Sequence, residues 1–286
     1  MAPRLKKDIW YKFKNLGIWI ISHSICLAVA VTCIFPLVWM VSSSLKTQAT
    51  VFSDMSLIPK TFTWHNYVVA WTKGRFGIYF FNSLFYTVCV VAGIIIIASL
   101  AAYAFSRLEF PGKNILFVIL ISTMMIPVPG ALIALYVLLL KLGLINTRLG
   151  YILPQINQGL ALGIFLLKTF FDKLPKDLED AARIDGCNKF QVYLHVALPL
   201  AKPALAVLVI FNALTVWNEY VLAFLVLNDQ KLMPLQRGLM VFQGQYITEY
   251  PVLMAGITIT VVPIILLYFL MQKHIISGIQ AGALKS

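Results

Sequence analysis

The chain has 286 residues, 60% of them hydrophobic and only 12% charged, about half the charged share of an average soluble domain. Its apolar residues come in uncharged blocks long enough to cross about 30 Å of hydrocarbon at about 1.5 Å per residue, which excludes a soluble globular domain and the short alternating segments of a β-barrel. The net charge of +12 invites a nucleic-acid reading, but the basic residues flank apolar runs instead of lining one face, so no nucleic-acid partner is expected.

In chain order, the first 17 residues carry five Lys/Arg and one Asp, and residues 1–15 read as a segment outside the lipid. An apolar run from about Leu16 to Val41 follows. It is too long for a signal-peptide core, so it is expected to be an uncleaved first span, with Pro36 as a candidate kink. After a polar loop, the second span is drawn from Phe76 to Ser106, with no charge over 31 residues. Asn82 and Ser83, near its start, are expected to cap or pack. The third span, about Ile115 to Leu140, contains Pro127, Pro129 and Gly130, which break or bend it and free carbonyls that need other partners. The fourth, about Leu149 to Leu167, opens with Gln155, Asn157 and Gln158, unusually polar for lipid. The fifth is expected from Pro203 to Leu227 and the sixth from Tyr250 to Gln272.

Six spans place both termini on one side. With the N-terminus cytoplasmic, fifteen Lys/Arg fall in cytoplasmic segments and eight outside. The bias predicts cytoplasmic N- and C-termini in a cell membrane, and a cytoplasmic segment at about residues 172–202. Cys26, Cys33, Cys89 and Cys187 fall singly and the four histidines are scattered, so no metal site is expected. There is no GxxxxGK[ST] loop, so the chain is not itself a Walker-type nucleotide hydrolase. No HExxH and no nucleophile elbow is present either, and no catalytic residues are expected.

The cytoplasmic segment has clear helix signals. Pro175 suits a first helical turn, and Asp177, Glu179 and Asp180 put negative charge near the positive end of the helix dipole. Gly186 suits the left-handed position that stops a helix. Leu178, Ala181, Ala182 and Asp185 share a face. A second helix follows, with Phe190, Tyr193 and Leu194 on one side, until "LPLAKP" breaks it. Physics alone leaves a docking element and a solvated amphipathic loop both open.

The spacing is more specific: an acid followed by Ala181 and Ala182, three residues, Gly186, nine residues, then Val196-Ala197-Leu198-Pro199. It resembles the EAA loop of ABC-importer permeases, Glu-Ala-Ala, three residues, Gly, nine residues, Ile-x-Leu-Pro. Asp180 stands where that pattern has Glu, one methylene shorter, with Glu179 just before it, and Val196 replaces Ile. "WNEYVLAF", "VFQGQYITEYPVLMAG" and the ending "GIQAGALKS" extend the resemblance to the carbohydrate-uptake, maltose-transporter-like group, and within it to the smaller of two permease partners.

The resemblance implies an all-α, polytopic fold of six transmembrane helices with a cytoplasmic coupling-helix loop, residues 1–286 forming one permease domain with a tail at about 273–286. It implies a sugar importer whose chain forms half of the translocation pathway. The partners would be a second permease, two ATPase subunits that hydrolyse ATP, an extracytoplasmic solute-binding protein, membrane lipid and the sugar. No cofactor would be bound by this chain. Leu178, Glu179, Asp180, Ala181, Ala182, Asp185, Gly186, Leu198 and Pro199 would then couple to the ATPase. Gln155, Asn157, Gln158, Asn218 and Glu219 are candidates for the sugar path, since amides offer both donors and acceptors to hydroxyls. They equally suit helix–helix hydrogen bonds, and Glu219 a cap. Gln243, Gly244, Gln245 and Tyr246 are candidate contacts for the binding protein. Gly278 and Gly282 are expected to disfavour a rigid helix and the small Ala281 and Ala283 to leave the backbone accessible, and the resemblance implies that these four form a tail contact with the ATPase. The alternatives are a permease for a polyol or another small polar solute, and a membrane channel or enzyme outside the ABC class.

Overall fold

The computed structural model describes residues 2–72, 74–125, 128–242 and 248–283. In chain order the helices are α1 (Ala2–Ser44), α2 (His65–Thr72), α3 (Phe76–Arg107), α4 (Lys113–Ser122), α5 (Val128–Lys141), α6 (Arg148–Asp172), α7 (Lys176–Ile184) and α8 (Lys189–Val192), followed by α9 (Leu198–Leu200), α10 (Lys202–Trp217), α11 (Val221–Val226), α12 (Leu235–Gly238) and α13 (Tyr250–Ala283). Four stretches are long and apolar enough to cross a membrane: Gly17–Ser44, Phe76–Arg107, Arg148–Asp172 and Tyr250–Leu270. Two bent pairs, Lys113–Met125 with Gly130–Lys141 and Lys189–Leu200 with Lys202–Trp217, bring the number to six when each counts as one span. The protein is therefore an all-helical, multi-pass membrane protein.

Three expected boundaries are corrected. The fifth span ends at Trp217, because Asn218, Glu219 and Tyr220 interrupt it before the separate short α11. The sixth span, expected from Tyr250 to Gln272, corresponds to Tyr250–Leu270, but the helix does not end with it: α13 runs on to Ala283, so Gly278 and Gly282 do not break the backbone helix. A glycine inside a helix costs only about 1 kcal/mol, too little to end it alone. Pro175 lies just outside α7, with ψ 131°, and not in its first turn.

The described residues form two compact units. In the first, residues 1–70 with 242–258, the end of α1 is tied to the following loop by buried polar groups. Asn66 Nδ2 donates to the carbonyls of Ser44 (2.7 Å) and Lys46 (2.8 Å). The Ser44 and Tyr67 hydroxyls lie 2.7 Å apart. The Lys46 ammonium, itself buried, donates to the carbonyls of Asp54 (2.5 Å) and Ser56 (2.8 Å). Hydrogen bonds from Ser56 hold the Asp54 carboxyl below its ordinary range.

The second unit, residues 71–241 with 259–286, is built on α3, α6 and α10. Close approach of α3 and α6 depends on small residues. A Cβ on Gly159 would collide with Ile94 and Asn212, and one on Gly163 would sit 3.1 Å from the Ala98 Cβ. Gly159 and Gly163, four apart, form the small-xxx-small stripe by which membrane helices approach when lipid gives no hydrophobic drive to associate. Tyr86, Val90, Ile94, Ala98, Tyr151, Ile164, Leu167 and Leu208 fill the interior between them. The two ends of α3 thereby become fixed points for the polar segments at either end of the unit.

Candidate functional site

At the C-terminal end of α3 lies the 172–202 segment. Helix α7 carries Asp177 and Glu179 in its first turn and Arg183 in its last, the order its dipole favours. It ends as the sequence predicts. Gly186 has φ +88°, its N–H donates to the Arg183 carbonyl (3.0 Å), and the Cys187 N–H donates to the Ala182 carbonyl (3.0 Å). This is the paired-bond terminus in which a left-handed glycine satisfies the last carbonyls. Asn188 then starts α8 with a reciprocal box: its side chain accepts from the Gln191 N–H (2.9 Å), and the Gln191 side chain accepts from the Asn188 N–H (2.8 Å). Tyr193–Ala197 form one widened π turn before α9.

The two neighbouring acids of this segment face opposite ways. Glu179 is buried, and its carboxylate accepts from Arg107 Nε at 2.5 Å, while Arg107 Nη2 donates to the Leu174 carbonyl at 2.8 Å. Asp180 is exposed and pairs loosely with Arg183 one turn on (3.2 Å). Ser106 and Lys168 both donate to Asp172 (2.6 and 2.7 Å). Further along, the Tyr193 hydroxyl lies 2.8 Å from that of Ser99, and the Tyr103 ring packs against Phe171 and Tyr193. Of the residues expected to couple, Leu178, Asp180, Ala181, Asp185, Gly186 and Pro199 are exposed, Ala182 and Leu198 are half-buried, and Glu179 alone is turned inward. Ile184, at 87% exposure, and Phe190, at 62%, enlarge the outward apolar surface beside them.

At the opposite end of α3, Asn82 and Ser83 pack and do not cap. Asn82 Nδ2 donates to the carbonyls of Lys231 (2.8 Å) and Met233 (3.1 Å), and Ser83 Oγ accepts from the Leu235 N–H (2.8 Å). Tyr86 donates to the Leu232 carbonyl (2.8 Å), and Asn146 Oδ1 accepts from the N–H groups of Asn228 and Asp229. The loop from 228 to 235 is thus held by its backbone.

The expected path residues divide. Gln155 is buried, while Asn157, Gln158 and Asn218 are exposed. Asn218 donates to the Leu214 carbonyl and accepts from Gln236. Glu219 caps α11: its two carboxylate oxygens accept from the N–H groups of Leu222 (2.6 Å) and Ala223 (3.0 Å). It also lies beside the Tyr151 hydroxyl, near Gln155. The buried Tyr151 Oη lies close to the Gln155 side chain and the Glu219 carboxylate, and neither it nor Gln155 Oε1 makes a well-formed hydrogen bond among the described residues. Gln243, Gly244, Gln245 and Tyr246 lie outside the described residues. Gly278, Ala281, Gly282 and Ala283 lie on the last turns of α13.

Sequence reasoning missed Arg107, Ser99 and Tyr193 as a set, and Tyr151 as the neighbour of Glu219. Arg107 was counted only among the flanking basic residues, since nothing local marks a partner 72 positions away.

Residues 93–280 match the family described as the binding-protein-dependent transport system inner membrane component. The chain belongs to that family: it is a membrane permease of a binding-protein-dependent transport system. It is 35% identical, over 99% of its length and 91% of the relative's, to the probable ABC transporter permease protein YurM of Bacillus subtilis. It is 33% identical to the diacetylchitobiose uptake system permease protein NgcG of Streptomyces coelicolor, over 93% of this chain and 88% of that one. Among solved structures it resembles a chain of a bacterial ABC transporter that imports the acidic polysaccharide alginate. The TM-score there is 0.80 at 27% identity, covering 90% of this chain and 96% of that one.

Proposed function

We propose that the chain is one of two permease subunits of an ATP-driven sugar importer, with both termini cytoplasmic, and that it moves solute by alternating access. The observation that carries this is the attitude of the 176–200 segment. Its inward face is anchored on α3 by a buried ion pair, while its outward face offers Leu178, Ile184 and Phe190 with Asp180 and Asp185 among them. A solvated loop has no need of such an anchor, whereas a helix that must receive a partner does. The partner there is an ATPase pair that binds and hydrolyses ATP, and this chain supplies no catalytic residue.

Sugar as the solute is supported by the relatives, whose names refer to diacetylchitobiose, arabinooligosaccharides and trehalose or maltose. Exposed Asn157, Gln158 and Asn218 suit hydroxyl-rich solutes on the path shared with the second permease. Gln155 and Glu219 serve the packing of that path's wall. Residues 243–246 are the proposed contact for the solute-binding protein, and the last turns of α13, from Gly278, a further contact for the ATPase. The test is to purify the chain with its co-expressed ATPase and partner permease, reconstitute them, and follow uptake of labelled oligosaccharides with the binding protein present. ATP-dependent uptake of an oligosaccharide is expected. Absence of any ATPase in the purified assembly would overturn the reading.

A further inference from the structure

The ion pairs among the described residues are not equivalent. In three of them at least one side chain is more than a third exposed, but Arg107 and Glu179 are 7% and 5% exposed. We propose that this pair is a positioning joint. It makes the 176–200 segment move as one body with the last turns of α3, so that displacement of the outward face of α7 reaches the membrane-spanning bundle. The inference rests on the proposed function, in which a cytoplasmic partner pushes on that face, and it names the residues that transmit the push.

Three observations place the joint here. The guanidinium of Arg107 holds the turn between α6 and α7 at the Leu174 carbonyl, inside it, and holds α7 beyond it at the Glu179 carboxylate. A helix held at one point only could swing. The second arm of the segment is bound to the same helix, through the hydroxyl pair of Tyr193 and Ser99 and the packing of Tyr103 on Tyr193. Both arms therefore follow the stretch from Ser99 to Arg107. The third is the chemistry of the link. Apolar side chains slide past one another at little cost, but a buried carboxylate cannot leave its cation without standing uncompensated in a medium of low polarity. Such a link survives a stroke that would shear an apolar contact. The adjacent acid, Asp180, points away from α3 and has no part in the joint.

The experiment uses the full complex in proteoliposomes and reads solute moved per ATP hydrolysed, normalised to assembled complex. The double substitution Arg107→Met with Glu179→Gln removes both charges, so that no buried charge is left unpaired. It is expected to keep the ATPase subunits in the purified assembly and to hydrolyse ATP, yet to move about tenfold less solute per ATP. A pair that only helps folding would lower the amount of complex and leave the ratio in the surviving complex unchanged, and that result overturns the inference. A wild-type chain that holds no ATPase and supports no uptake would overturn the proposed function and the joint with it. Normal wild-type coupling matched by the double variant would overturn the joint alone.

Discussion

The two ends of α3 hold polar segments by different means. At its start, neutral side chains take hold of a backbone: Asn82 and Tyr86 donate to the carbonyls of Lys231, Met233 and Leu232, and Ser83 accepts from Leu235. At its finish, the links are mostly side chain to side chain, Arg107 to Glu179 and Ser99 to Tyr193, with one bond from Arg107 to the Leu174 carbonyl in the turn before α7. The first arrangement fixes the course of a loop and satisfies groups that would otherwise be orphaned. The second fixes the orientation of a helix while leaving its own backbone bonded internally, so its far face stays free. Bonding to backbone suits a part that must stay put. Bonding to side chains suits a part that must be carried.

The sharpest way to break this comparison is Arg107→Ala. It leaves the Glu179 carboxylate buried without its cation, a loss of about 3–5 kcal/mol by analogy with other buried pairs. The melting temperature of the detergent-purified chain should fall clearly, and protease should cut first in the 173–188 stretch. Cleavage appearing first in the 228–235 loop would show that the two ends of α3 are not independently held.

Asn82→Ala tests the other end and should be milder. Two hydrogen bonds to carbonyls are lost, about 0.5–1.5 kcal/mol each. Amide hydrogen exchange should quicken in residues 228–235 and remain unchanged in 176–200. Faster exchange in both segments would mean that α3 is not stiff enough to separate them.

A third variant, Gly186→Val, addresses the helix end alone. The left-handed conformation costs a residue with a Cβ about 1–2 kcal/mol, more when branched, although no atom stands within 4 Å of the added group. Stability of the whole should change little, while ATP-driven uptake falls because α8 leaves the turn at a new angle. Uptake equal to that of the wild type would remove the turn from the coupling path.

Much of this arrangement is legible in the sequence because it is local. The uncharged run of α3, the acidic start of α7 and the stop at Gly186 each follow from neighbouring residues. The spacing from Asp180 to Pro199 pointed to the family that the matched region shows. What stayed hidden depends on distance. A cap is one of the readings open for Glu219 in the sequence, but the break after Trp217 that creates the short helix it caps is not, since the run reads as one span to Leu227. Gly159 and Gly163 form a visible stripe, but the residues they admit, Ile94 and Ala98 on α3, cannot be named from spacing. The burial of Glu179 is of the same kind. Two adjacent acids look alike in a string, and only the fold turns one toward Arg107.

That last pair gives the smallest and most discriminating prediction. Asp180→Asn removes an exposed charge whose partner, Arg183, is half exposed on the same helix, an interaction worth no more than about 0.5 kcal/mol in water. The substitution keeps size and shape, so the melting temperature should not move by a measurable amount. The parallel change Glu179→Gln removes the charge that balances Arg107 in a site closed to water, and the melting temperature should drop. The order should reverse when binding is measured. Asp180 faces the side open to a partner, where a lost charge weakens a charge-assisted contact, whereas Glu179 is covered by its own chain. Titration of the purified permease with its ATPase should therefore show weaker binding for Asp180→Asn and near-normal binding for Glu179→Gln. Equal effects of the two changes on stability would contradict the burial of Glu179. Equal effects on binding would contradict the assignment of the outward face to the partner.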